Sequence, residues 1–341
     1  MKRLLILILT FIFLLSIVSC GAGEKGAKLP NKTAEELVAE GNYLDAYRVL
    51  LANGDENSEI KLDDFISLPQ KTIQTDIRGN KATYNFTWDS EGKPVKAVVF
   101  NGNLTNEIAY TYGENTFSCS RSGALVEVYT LNEKGLIAQL VHYHNDGSLY
   151  RTIDYTYDEK GKLVREHEVI VGNEYPSIHT YTYDEAGRLI KEKHDYGHSY
   201  DEEIYAYDEA GRLVKKTTTY SDSDNVFEET YTYNDKGQLA GMVQEGTENG
   251  EKKITYKTTI TYSENGKPVS IFKDNMDGYT NLYEWTYDHY GNLTKEVRTS
   301  GYEGQEKNVY VVEHEDYVVF YTPKLHAVMD EILESYQPDI D

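Results

Sequence analysis

The chain has 341 residues, a net charge of −23, 31 tyrosines, 26 glycines and only 7 prolines. That acidity excludes nucleic acid and bare anionic lipid as partners, since both reward clustered lysine and arginine. Abundant tyrosine and glycine with little proline favours strands and turns over helices or a proline-rich linker.

The first segment reads as an export signal. Lys2 and Arg3 make a basic start, and Leu4 to Val18 are apolar apart from Thr10 and Ser16. That run has the length of a secretory h-region and falls short of the roughly 20 residues needed to cross a bilayer as a helix. Directly after it stands Ile17-Val18-Ser19-Cys20, which resembles the bacterial lipobox in its aliphatic residue, its small residue and its cysteine. The resemblance implies removal of residues 1–19, diacylglycerol on the Cys20 thiol, and a lipid anchor to the outer face of the cell membrane, or to the outer membrane if the source is Gram-negative. Lipidation consumes Cys20 and leaves Cys119 as the other cysteine, so no intramolecular disulfide is expected. Cys119, in a strand-like stretch, reads as a small buried hydrophobe.

Residues 20–30 are small and polar and read as a tether. Residues 31–68 read as a helical collar. Thr33 and Glu36 have capping-box spacing, and the stretch with Leu37, Ala39, Gly41, Tyr43, Ala46 and Leu50 resembles a single tetratricopeptide-type helical pair.

Residues 69–322 carry a period-two pattern that repeats. The cleanest copies are IDYTYDEKGKLVRE, HTYTYDEAGRLIKE, EIYAYDEAGRLVKK and ETYTYNDKGQLAGM, with turn glycines at Gly161, Gly187, Gly211 and Gly237. Looser copies turn at Gly92, Gly135, Gly266 and Gly291. In each unit the acid that opens a type I turn can accept backbone N–H bonds, and the glycine three residues later can take positive φ, which makes a three-residue hairpin loop with a bulge. The register that follows sets Asp208 against Arg212 and Tyr207 against Leu213. Tyr205 and Tyr207, two apart, then share a face, and the same spacing predicts an aromatic–aliphatic face along the whole array and a water face of Thr, Asp, Lys and Arg. Residues 323–341 read as a C-terminal helix: Pro323 at its start, with Leu325, Val328, Met329, Ile332 and Leu333 as an apolar stripe able to cover a sheet edge.

These units resemble the YD repeats of the rearrangement-hotspot and teneurin families, over roughly residues 81–300. The resemblance implies a mostly β fold: an antiparallel meander of YD hairpins forming one long curled sheet, flanked by the short helical segment and the C-terminal helix. In those families such sheets act as shells or surface-binding arrays; neither a terminal toxin domain nor a self-cleavage motif is expected in this sequence.

No phosphate loop, nucleophile elbow or zinc-type Cys/His spacing is present, so no catalytic residue, cofactor or metal is predicted. His142 and His144 share a strand face, and Asp274, Asp277 and Gly278 fit a turn better than a calcium loop. The acid pairs Glu202-Glu203 and Glu228-Glu229 carry no information by adjacency in so acidic a chain. The remaining candidate surface is the tyrosine ladder, Tyr181, Tyr183, Tyr205, Tyr207, Tyr231 and Tyr233, which could stack on sugar rings or anchor a protein contact. The function expected is a lipid-anchored binding or scaffolding surface for cell-envelope carbohydrate or protein. The alternatives are a carboxylate-dependent glycan hydrolase and an outer-membrane barrel, the last ranked lowest because the strands lack an aliphatic band.

Overall fold

The computed structural model describes residues 29–321, apart from 56–57, 63–64, 90–92, 249–250 and 289–290. Cys20, the signal segment, most of the tether, Gly92 and the expected helix over 323–341 lie outside the described residues.

Two helices come first among the described residues, α1 (Ala34–Ala39) and α2 (Tyr43–Asn53). Thr33 Oγ1 accepts from the Glu36 N–H at 3.2 Å while Glu36 Oε2 accepts from the Thr33 N–H at 2.8 Å, so both orphan donors of the first turn are satisfied. The helices bury Leu37, Ala46, Val49 and Leu50 against Ile60, Phe65 and Val319, and Ala46 is fully covered. Among the described residues no helix is long and apolar enough to cross a membrane.

All else regular is strand. Among the described residues twenty strands form one sheet, from β1 (Phe65–Thr75) to β20 (Asn308–Tyr321). The open curled sheet inferred from the repeats is corrected by one pairing. β1 bonds on one edge to β2 (Lys81–Trp88), with Ile73 opposite Thr83, and on the other to β20, from Phe65↔Tyr321 through Ile73↔Glu313 to Thr75↔Val311. First and last strands are each other's partners, and the sheet is a closed antiparallel β-barrel. The reason is the cost of edges: an open array would leave two rows of unpaired backbone donors and acceptors, and closure removes both. The hairpins are the same in either arrangement, which is why the repeat pattern did not distinguish a repeat array with free ends from a ring.

The chain divides into two compact units. One comprises the described residues up to Thr105, Ile260–Phe272 and those from Thr280 onward; the other comprises Asn106–Thr259 and Lys273–Tyr279. The β1–β20 pairing belongs to the first.

The repeat turn is well shown between β12 (Tyr200–Tyr207) and β13 (Leu213–Tyr220). Asp208 Oδ1 accepts from the Arg212 N–H at 2.8 Å, the Gly211 N–H donates to the Asp208 carbonyl at 2.9 Å, and Gly211 sits at φ 80°. Tyr207 lies opposite Leu213, and the register shifts by one residue beside it, the bulge that the left-handed glycine creates. Successive units are then tied side by side. The hydroxyls of Tyr157, Tyr183, Tyr207 and Tyr233 donate to the carbonyls of Ile137, Leu163, Leu189 and Leu213, each two residues past the preceding turn glycine, at 2.7 to 2.8 Å. The cation after that glycine covers the same ring: Lys162 over Tyr183, Arg188 over Tyr207 and Arg212 over Tyr233, each 4.8 Å from the ring centre. The residues of YxYDxxGRL thus serve both the turn within a unit and the contact to the next.

Candidate functional site

The second unit holds β9 (Leu163–Ile170), β10 (Ser177–Tyr183), β11 (Leu189–Asp195), β12, β13, β14 (Ser223–Tyr233), β15 (Leu239–Glu248) and most of β16 (Glu251–Tyr262). Strand alternation puts Tyr181 and Tyr183, Tyr205 and Tyr207, Tyr231 and Tyr233 on one face of β10, β12 and β14. The second tyrosine of each pair makes the inter-unit bond just described. The first tyrosine meets a carboxylate instead.

Tyr181 Oη donates to Glu166 Oε1 at 2.7 Å. Tyr205 donates to Glu203 at 2.5 Å and lies 3.2 Å from Glu192. Tyr231 and Tyr256 donate to the two oxygens of Glu229 at 2.5 and 2.9 Å. Lys216 stands between two of these acids, with Nζ 3.0 Å from Glu203 and 3.4 Å from Glu229. Thr218 donates to Glu203, and Gln244 to Glu229 at 3.0 Å. The centre of this network is out of water, with Lys216 6 % exposed, Glu229 3 % and Glu166 6 %, while Glu203 and Glu192 are half-buried.

The tyrosine face is therefore not the apolar ladder expected. Charged groups sit on it because a buried carboxylate is tolerable when hydrogen-bond donors and a cation surround it, and for Glu203 and Glu229 the tyrosine two residues on along the same strand supplies one donor. Burial pushes the Glu203 carboxyl up, but Lys216 and donors from Tyr205, Lys216 and Thr218 outweigh it and hold the group below the usual carboxylate range. Burial and the neighbouring carboxylates push the phenols of Tyr205, Tyr231 and Tyr256 up, so they remain donors. Burial lowers the Lys273 ammonium, which lies 4.1 Å from the centre of the Tyr256 ring.

The opposite face is laced with ion pairs. Lys191 meets Glu202 at 2.6 Å, and Glu228 takes both Lys215 and Lys252, the latter at 2.9 Å. Their hydrogen bonds hold the Glu228 carboxyl down at about 2.

A depression of about 370 Å³ borders this unit's turns, lined by Asp158, Lys162, Tyr181, Tyr183, Asp184 and Gly187 among others. Of the other residues weighed by sequence, His142 and His144 both pack on the Tyr150 ring, with centres 5.3 and 4.9 Å away. Asp274 and Asp277 accept the N–H groups of Met276 and Tyr279 in a turn. Cys119 is buried, and burial with the Glu127 charge pushes its thiol up to about 11. Among the described residues, no group of three or more His, Cys, Asp or Glu side chains is arranged to hold a metal ion.

Sequence reasoning passed over Glu166, Glu192 and Lys216, and set Glu203 and Glu229 aside as members of uninformative acid pairs. The signal for three acids was parity: Glu203-x-Tyr205, Glu229-x-Tyr231 and Glu127-x-Tyr129 put acid and phenol on one face, and Tyr129 indeed donates to Glu127 at 3.1 Å.

A family model described as "Uncharacterised protein" matches residues 50–197. No curated protein matches. Among solved structures, a chain of the TcdB2-TccC3-Cdc42 structure is 12 % identical, with 67 % of this chain covered and a TM-score of 0.35; this chain spans about 15 % of its length. A porin-like protein from Bacteroides uniformis ATCC 8492 is 12 % identical, with 74 % of this chain and 97 % of that one covered, at a TM-score of 0.35. A porin-like protein from Bacteroides vulgatus ATCC 8482 is 11 % identical, with 75 % and 99 % covered, at 0.31. Likenesses this distant assign no function.

Proposed function

We propose that the protein is an exported β-barrel of the bacterial envelope, tethered through lipid on Cys20, whose polar tyrosine–carboxylate face receives a polar envelope component, carbohydrate or protein. What carries this reading is the charge buried on that face, above all Lys216 between Glu203 and Glu229. A wall that only had to hold the fold together would gain more from apolar side chains of the same volume. Closure favours a barrel over the scaffolding sheet first expected, since a closed sheet has an inner face on which polar groups can converge.

Glycan-array and pull-down screens with envelope fractions test it. A retained component, lost in a Glu203→Gln, Glu229→Gln double variant, is the expected result; retention of nothing by the wild-type protein contradicts it.

The second reading is a barrel that spans the outer membrane. Among the described residues an even number of antiparallel strands, closed on itself, favours it. Against it stand the ion pairs of Lys191, Lys215 and Lys252 on the opposite face, because each lysine facing lipid at mid-bilayer costs about 2–4 kcal/mol. Replacing residues 1–20 by a signal segment that is cleaved without lipidation separates the two, because it removes both the apolar leader and the lipidated cysteine. Release into the soluble fraction supports the tether, and persistence as an integral membrane protein supports the spanning barrel.

A further inference from the structure

A row of directly opposed residues crosses the tyrosine face, starting from Glu166 of the carboxylate network. Glu166 on β9 faces His179 on β10, His179 faces His194 on β11, and His194 faces Asp201 on β12. The sequence Glu, His, His, Asp thus runs straight across four strands. The two imidazoles are in contact, with ring centres 3.2 Å apart. His179 Nδ1 is buried and has no hydrogen-bond partner, which leaves a nitrogen lone pair or an N–H without use in the protein alone. Glu192 Oε1 lies 3.8 Å from that atom, and Asp201 Oδ1 lies 4.0 Å from His194 Nδ1. The second imidazole is oriented from both ends: Ser177 Oγ is 3.0 Å from His194 Nε2, and Tyr196 Oη is 2.8 Å from His194 Nδ1.

We propose that His179 and His194 chelate one first-row transition-metal ion between β10 and β11. Directly opposed residues in an antiparallel pair hold their Cβ atoms about 4.5–5.5 Å apart, so once the rings swing out of their 3.2 Å contact two imidazole nitrogens can converge on an ion at about 2.0–2.1 Å. The unpartnered His179 Nδ1 supplies one bond. His194 Nε2 supplies the other by exchanging its serine contact, while Tyr196 keeps Nδ1 and fixes the ring, the outer-shell arrangement usual for a ligating histidine. Glu192 and Asp201 stand too far back to complete a preformed three-residue site, so water fills the remaining positions and the carboxylates hydrogen-bond to it. Two imidazoles with nearby carboxylates suit Cu²⁺, Ni²⁺ or Zn²⁺ over Mg²⁺ or Ca²⁺. A packed histidine pair beside Glu192 accounts for the ring contact and leaves the buried His179 Nδ1 without a hydrogen bond. The site is independent of the envelope reading, since it asks nothing of partner or location.

The test is calorimetric titration of the full chain, purified without a histidine tag, with Ni²⁺ and Zn²⁺, together with electron paramagnetic resonance of the Cu²⁺ form. One ion per chain is expected, with affinity falling at least about tenfold in His179→Ala and in His194→Ala and unchanged in a His142→Ala, His144→Ala double variant. The resonance spectrum of the wild type should show two nitrogen ligands, a readout that does not depend on the variants folding. No one-to-one binding by the wild type, binding undiminished in both single variants, or a Cu²⁺ spectrum without two nitrogens overturns the proposal.

Discussion

The Tyr207 hydroxyl donates to the Leu189 carbonyl at 2.7 Å, and Arg188, beside that leucine, lies over the Tyr207 ring. One tyrosine is held by two consecutive residues of the preceding unit, and Tyr183 and Tyr233 repeat the arrangement. The tyrosine four before the turn glycine is therefore the clasp between units rather than a free aromatic surface.

Tyr207→Phe keeps the ring and removes the bond. The carbonyl of Leu189 loses a half-buried donor, so the variant should lose about 1 kcal/mol of stability. Urea unfolding read by circular dichroism checks this. A further Arg188→Ala substitution should then cost less than it does in the wild type, because the two contacts share one ring.

Lys216→Met leaves the buried Glu229 and the half-buried Glu203 without their shared cation. Breaking a buried pair from one side costs about 3–5 kcal/mol, and adding Glu229→Gln should restore part of it. Equal stability of Lys216→Met and wild type in denaturant would show that the lysine is not held where it is described.

Acid should weaken the fold through His314. Its imidazole, with Thr72 Oγ1 2.9 Å from Nδ1, is pushed down to about 4 by burial. The unfolded chain then binds more protons than the folded one between about pH 6.5 and 4, so the contribution of His314 is fully present above 6.5 and is lost as pH falls through that window. The loss is on the order of 3 kcal/mol, and His314→Gln should flatten that part of the profile. Glu203, with its folded value lowered, acts in the same direction at lower pH: its contribution is present above the unfolded carboxylate value and is lost as pH falls through the folded one.

Cys20→Ala should release the protein from membranes, measured by fractionation and immunoblot. Tight retention of that variant with lipid would show that the leader or the strands, and not a lipid on Cys20, hold the protein.

The hairpins were legible because their information is local: Asp208, Gly211 and Arg212 lie within five residues, and their backbone bonds fix both turn and register. Closure was not legible. Ile73 and Glu313 are separated by most of the chain, and nothing in either strand's alternation names its partner. The buried acids fall between these cases. Glu203 and Glu229 could be placed on the tyrosine face by counting two residues, but Lys216 reaches them from another strand, across a bulge that shifts its parity relative to the turn.

The central claim, that the sheet is closed by its first and last strands, is tested most directly by a disulfide across β1 and β20. With Cys119→Ser and Cys20→Ala to remove other thiols, Ile73→Cys and Glu313→Cys place two cysteines directly opposite each other. Closure predicts rapid intramolecular oxidation, seen as a mobility shift on a non-reducing gel and confirmed by mass spectrometry of the linked peptides. Two thiols that stay free under oxidation in the folded protein would contradict it and return the array to an open sheet.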